Sequence, residues 1–218
     1  MKVYVGWDSR EDIAYQVCEH SIKRRDPRAE VYPLKQNQMR EQGIYTRDID
    51  KLATTEFTFT RFFVPYLNNF KGWAVFCDCD FLWKVPVKEL EQYCDDSKAV
   101  VCVQHDYTPE DGSIKMDGQI QTAYPRKNWS SMVLWNCGHE KNKVLTPEFL
   151  NKQTPKFLHR FSGWKIWRLA HCLTSTTGWW DGTRNQKMAI PRYCTTPKEG
   201  HGLTVIVIVN TLMSGRRK

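Results

Sequence analysis

The sequence predicts an α/β domain, a central and mostly parallel sheet flanked by helices, and three observations carry that expectation. Short β-rich runs alternate with stretches of helical periodicity through most of the chain. One run, Trp73 to Phe76, reads as a buried strand that opens directly into acid. The 218 residues, 41% of them hydrophobic, fill the core of one sizeable domain, or at most one and a half.

Val3, Val5 and Trp7 alternate with Tyr4 and Gly6 in a run that stops at Asp8, which predicts the first strand. Glu11 to Lys23 follows with Ile13, Val17, Cys18 and Ile22 at helical spacing, and Asp8 or Ser9 is placed to cap that helix. Val31 to Leu34 predicts a second strand, and residues 36–55 read as polar and irregular. From Phe57 to Leu67 aromatic and aliphatic residues recur at three and four, so Arg61 falls on a partly buried helix. After the strand from Trp73, Pro86 stands where a first-turn proline would open a helix over Val87 to Tyr93. Ala99 to Val103 and Met132 to Trp135 predict two more strands, and Pro147 opens another helix.

Composition narrows the function classes. Mean hydropathy is -0.58 and no apolar run approaches 18 residues, so no membrane-spanning helix is expected. MKVYVGWDSRED reaches charge without a hydrophobic stretch, so no secretory signal is expected either. Aromatic residues at 13% argue against a disordered chain. The eight cysteines show neither a CxxC pair nor a disulfide framework, and Cys77 and Cys79 read as small core residues. Together these predict a reduced, cytoplasmic compartment.

The net charge of +8 suggests nucleic acid until it is divided along the chain. Residues 1–162 carry 23 basic and 22 acidic side chains, whereas residues 163–218 carry 9 and 2. A nucleic-acid groove would distribute its basic residues over the folded scaffold. The excess sits instead in one terminal block, so no nucleic-acid partner is expected, and a basic nucleic-acid-binding protein is the least favoured reading.

The chemistry concentrates in WAVFCDCDFLW, residues 73–83. Asp78 and Asp80 are two apart, so on extended backbone both carboxylates reach one face while Cys79 points away. Ligands of open α/β sheets gather at the carboxyl ends of strands. Two adjacent carboxylates repel unless a cation lies between them, and hard oxygen ligands suit Mg²⁺ or Mn²⁺. Such an ion would neutralise a departing diphosphate. Asp48-Ile49-Asp50 has the same spacing but follows a polar loop, so it reads as solvated surface. A nucleotidyltransferase is the nearest enzymatic rival, but Gly6-Trp-Asp-Ser-Arg is not the Gly-rich phosphate loop it would bring.

VYVGWDSREDIAYQVC, TEFTFTRFFVPYL, FCDCDFLW, CVQHDYTP and KMDGQIQTAYPRKNWSSMVLWNC together resemble GT-A glycosyltransferases of the family-8-like kind. They resemble a bacterial group and the glycosyltransferase domain of a chlorella-virus protein that builds capsid glycan. The resemblance runs from about residue 2 to residue 161 and implies a Rossmann-like GT-A domain over residues 1–162. It implies transfer of sugar from a nucleotide-sugar, UDP-linked, to a glycan acceptor with Mn²⁺ or Mg²⁺, and a host-cell cytoplasmic setting if the source is viral. A non-catalytic nucleotide-sugar-binding domain is the alternative.

The resemblance places Gly6, Trp7 and Asp8 at the nucleotide base and ribose, and Asp78 and Asp80 on the metal, with Cys79 between them in the motif. Arg61 would approach the diphosphate or steady the acidic pair, or else pair with Glu56 on its own helix. Gln104, Asp106, Lys127, Asn128 and Trp129 would line the sugar and acceptor side. Trp129 and Trp135 read as core aromatics or as sugar platforms, and His105 as a loop hydrogen-bonder. No residue stands out as a catalytic base or nucleophile.

After Phe157-Leu-His-Arg-Phe161 the family pattern would continue with an acidic WLxDD segment, an LPxxWNW or LPxxYNW stretch and a late HYTxGGPW motif whose histidine completes the metal site. The written tail, residues 163–218, carries none of these. Shifted to begin at the third base of each codon, Trp164 to Asp181 can read EDMELGSLPYIYNWLVG, and Tyr193 to Gly202 can read LHYTKGGPW. The tail is therefore expected to be out of frame and poorly packed, with activity weakened or lost.

Overall fold

A computed structural model describes residues 1–48, 53, 55–102 and 130–162, together with the backbone of two short strands further on. In chain order the first elements are β1 (Lys2–Gly6), α1 (Asp12–Arg25), β2 (Val31–Leu34), α2 (Gln36–Glu41), α3 (Val64–Leu67), β3 (Trp73–Cys77) and β4 (Phe81–Trp83). Then follow β5 (Val100–Cys102), β6 (Met132–Asn136), α4 (Pro147–Lys152), α5 (Pro155–His159), β7 (Trp167–Arg168) and β8 (Ile206–Ile208). Short 3-10 turns cover Thr60–Phe63, Val87–Tyr93 and Glu140–Asn142.

Six strands form one sheet in the order β2-β1-β3-β6-β5-β7. Three of its pairings are parallel, β1 with β2, β1 with β3 and β5 with β7, so the predicted mostly parallel α/β sheet is present. It is a mixed sheet, because β6 runs antiparallel to both β3 and β5. Val75, Phe76, Val133, Leu134, Val100 and Val101 bury the centre on both faces, as strands covered by helices must. α1 turns Tyr15, Cys18 and Ile22 inward.

The chain leaves β1 toward β2 and then crosses to β3 on the other side, so the order reverses between β1 and β3. In open α/β sheets that reversal leaves a crevice beyond the carboxyl ends of the two strands. Val5 lies opposite Cys77 in the register. Trp7-Asp8 and Asp78-Cys79-Asp80 therefore leave the sheet side by side.

Several local expectations need correction. α1 has Glu11 at its N-cap and no side-chain cap, because Asp8 and Ser9 bond elsewhere. The stretch from residue 36 is not all irregular: α2 forms there, anchored by the buried Met39, one contact too few for a periodic signal. The single helix expected over Phe57 to Leu67 is a 3-10 turn running into one α-turn, with Pro65 at the start of that turn. Pro86 is the cap residue before its 3-10 segment instead of the first helical position. Pro147 does open α4.

All six described cysteines are free, and Cys77 and Cys79 are core residues. Among the described residues no helix is long and apolar enough to cross a membrane. Of the tail, only β7 and β8 are described; β8, within the apolar run Val205 to Val209, pairs antiparallel with β4.

Candidate functional site

Gly6 closes β1 beneath an aromatic ring. A Cβ there would lie 2.5 Å from Cδ2 of Phe57, so packing alone requires glycine. Trp7 follows, held at its edge by Nε1 donating to Asp12 Oδ1 (2.8 Å) and covered on one face by Lys35 Nζ, 4.7 Å from the ring centre. Asp8 is fully buried. Its Oδ1 accepts from the backbone N–H and Nε of Arg10, and its Oδ2 from Arg10 Nη2 and the Glu56 N–H. Those bonds hold its carboxyl below the usual range against the opposing effect of burial. What Asp8 turns outward is the guanidinium of Arg10, whose side chain is 61% exposed.

Across the crevice β3 ends at Cys77, and the Asp78 N–H donates to the Ser131 carbonyl (2.9 Å). Asp80 keeps a buried Oδ1 without a hydrogen bond, whereas the buried Oδ1 of Asp78 stands in an ion pair with Arg61. Burial, opposed by Arg61 and reinforced by the charges of Asp80 and Glu11, pushes the Asp78 carboxyl up to about 7. Burial and then Glu11 push Asp80 up to about 6. Cys79 does point away, with its Sγ donating to Glu11 Oε2 (3.4 Å).

Arg61 is buried and pairs with Asp78, Nη1 to Oδ1 at 3.0 Å, not with Glu56, which takes the Ser9 hydroxyl instead. The same Nη1 donates to the Ser130 carbonyl (2.8 Å) and Oγ (3.3 Å), and Nε donates to the Phe57 carbonyl (3.2 Å). Its guanidinium lies 5.3 Å from the Phe57 ring and 5.0 Å from Phe76. Of the partners open to it in sequence, Arg61 therefore takes a member of the acidic pair and not Glu56.

The structure thus gathers Gly6, Trp7, Asp8, Arg61, Asp78, Cys79 and Asp80 at one end of β1 and β3. Gln104, Asp106, Lys127, Asn128 and Trp129, and His105 with them, lie outside the described residues. Trp135 is fully buried against Phe62 and Phe161, a core residue and not a sugar platform. Sequence reasoning missed Glu11 and Arg10. An acidic residue at a helix start ordinarily reads as a partner of the helix dipole, so nothing in the string separated Glu11 from that duty.

The donor chemistry fits a divalent cation in part. A buried Asp80 oxygen without a hydrogen bond and a local excess of negative charge are what a hard cation relieves. Among the described residues, no group of three His, Cys, Asp or Glu side chains is placed to hold one. Asp78 and Asp80 would then supply two ligands, with phosphate oxygens or water completing the shell. A cavity of about 450 Å³ lies near Met1, Arg28, Glu30 and Pro86, at the opposite end of β1, and takes no part in this site.

No protein-family model matches the chain. It is 56% identical over 161 residues, 73% of its length, to Protein CDI of Arabidopsis thaliana, and that match spans 62% of the relative. Among solved structures, it is similar to the galactosyltransferase LgtC in complex with donor and acceptor sugar analogues, at 9% identity and a TM-score of 0.44 over 77% of this chain and 73% of that one. It is also similar to a glycosyltransferase involved in glycosylation of the major capsid of PBCV-1, at 11% identity and a TM-score of 0.36 over 66% of this chain and 61% of that one.

Proposed function

We propose that the chain is a metal-dependent glycosyltransferase domain that takes a UDP-sugar donor and transfers its sugar to a glycan acceptor. The observation that carries this reading is the parallel register of β1 and β3. It sets Asp78, paired with Arg61, and Asp80, whose buried Oδ1 has no hydrogen bond, beside the Gly6–Asp8 turn at the reversal of strand order.

In this reading the open backbone after Gly6 and the ring of Trp7 meet the base and ribose, while Asp8 acts through Arg10. With Nε and Nη2 bonded to Asp8, the exposed guanidinium contributes a positive charge on the side where a diphosphate would lie. Asp78 and Asp80 hold Mn²⁺ or Mg²⁺, which supplies charge neutralisation at the leaving diphosphate. Arg61 keeps Asp78 oriented and screens the repulsion between the two carboxylates. Gln104, Asp106, Lys127, Asn128 and Trp129 are proposed for the sugar and acceptor side on resemblance alone, and retention of anomeric configuration on the same ground. We further propose that residues 163–218 are read out of frame, so restoring the frame restores the late metal-binding histidine and raises turnover. Reading the source DNA tests that directly.

Calorimetry of UDP against the purified chain, with and without Mn²⁺, tests the central claim. Binding should require the ion, and Asp80→Ala should weaken it at least tenfold, about 1.4 kcal/mol. Affinity indifferent both to Mn²⁺ and to Asp80 would remove the basis for the assignment. UDP binding without transfer or donor hydrolysis, in a chain with the frame restored, would leave a binding domain in its place.

A further inference from the structure

Beneath the acidic pair lies a chain of hydrogen bonds that the proposed reaction does not itself use. Arg61 Nη1 touches Asp78 Oδ1 at 3.0 Å and donates to Ser130 Oγ at 3.3 Å. Ser130 Oγ lies 3.1 Å from Nδ1 of His159, the last residue of α5. Arg61 can only donate, so the Ser130 oxygen accepts from it and keeps its own proton for the next link. His159 also makes a hydrogen bond to the Thr58 backbone. A neutral imidazole that donates to that carbonyl through one nitrogen has the other free to accept.

The surroundings keep the ring in that form. Phe62 meets it edge-on at 5.1 Å, and Phe59 lies tilted to it at 6.2 Å. Burial, then the Arg61 charge, hold its pKa down to about 3, while the Thr58 contact opposes them. His159 therefore stays neutral through the physiological range and serves as a fixed acceptor, not a proton carrier.

We propose that Ser130 and His159 are positioning residues that pin the Arg61 guanidinium to one oxygen of Asp78, leaving the other oxygen open to a divalent cation. The inference rests on the metal-site reading above. Four segments distant in sequence meet in this relay: the turn at Thr60–Phe63, the end of β3, the start of β6 and the end of α5. With either link cut, Nη1 loses the Ser130 hydroxyl or that hydroxyl loses its anchor. The guanidinium keeps its bonds to the Ser130 and Phe57 carbonyls but has one constraint fewer, so it can shift toward the second Asp78 oxygen and compete with the cation.

The test measures Mn²⁺ affinity of the full chain by electron paramagnetic resonance at saturating UDP, alongside the thermal midpoint without metal. Ser130→Ala and His159→Phe should each weaken Mn²⁺ binding about 10–100-fold, the usual effect of losing a partner behind a metal ligand. His159→Asn, which returns an acceptor near the Nδ1 position, should recover most of it. Unchanged Mn²⁺ affinity in Ser130→Ala and His159→Phe, with Asp80→Ala abolishing binding, overturns the relay and leaves the metal site standing. A lowered thermal midpoint with unchanged Mn²⁺ affinity assigns the two residues to packing and also overturns it. Failure of the unaltered chain to bind Mn²⁺ removes both readings together.

Discussion

At Gly6 a single hydrogen in place of a methyl lets the Phe57 ring lie flat against the end of β1. That ring in turn supports the Arg61 guanidinium at 5.3 Å. Gly6→Ala should therefore cost about 1–3 kcal/mol, the range for overfilling a packed core, and urea denaturation measures it directly. A loss well under that range would show that Phe57 can move aside freely. The acidic pair was legible because an apolar strand ending in two spaced carboxylates has few structural uses. The partners that tune it were not. Arg61 lies on a turn whose sequence allowed an equally good pairing with Glu56, five residues before it. Glu11 and His159 reach the site from segments with no local mark of function. Asp8 shows the reverse case: the resemblance implied nucleotide contact, whereas its carboxylate is occupied by Arg10 and the Glu56 N–H.

Short elements carry more of this fold than periodicity can reveal. α4 and α5 each begin with a threonine followed by proline, and in both the hydroxyl oxygen accepts from a phenylalanine N–H, Thr146 from Phe149 and Thr154 from Phe157. The two phenylalanine rings then meet at 6.0 Å. α5 spans five residues, below the length at which helical spacing becomes visible, so its cap does the work that propensity cannot. Thr154→Ala should cost about 1 kcal/mol of stability, seen as a lower midpoint in urea with an unchanged slope. A neutral result would mean that tertiary packing alone fixes the helix that ends at His159. The longer strands were legible to within a residue or two, because β1, β3 and β6 are set by runs of apolar residues. β4, three residues long, was not, and α2 was hidden by having one buried anchor.

At the scale of the whole molecule the acidic site sets a pH dependence of distinctive sign. A carboxylate titrates near 4 in an unfolded chain, whereas Asp78 and Asp80 in the fold are pushed up to about 7 and about 6. Between those limits the folded chain holds more protons than the unfolded one, so stability from this pair is present below about pH 4 and is lost as pH rises toward 7. His159 works oppositely, since its proton affinity is lowered by folding, and its penalty fades as pH rises through its unfolded value near 6.5. Asp8, Asp12 and the exposed Asp95 and Glu148 are lowered as well, so their contributions are lost only as the solution becomes acidic enough to protonate them. The pair is isolated by comparison with Asp80→Asn, which removes one charge at nearly constant volume. In a chelating buffer the variant should gain stability relative to the unaltered chain as pH climbs from 4 to 7. At pH 7 and above, Mn²⁺ should reverse that order, since a cation at a hundred times its dissociation constant adds about 2.7 kcal/mol to the chain that binds it. Thermal midpoints of both proteins across this range, with and without Mn²⁺, give the answer. A difference that stays flat with pH would mean that the two carboxylates are better solvated than their buried oxygens indicate, and the need for a cation would go with it.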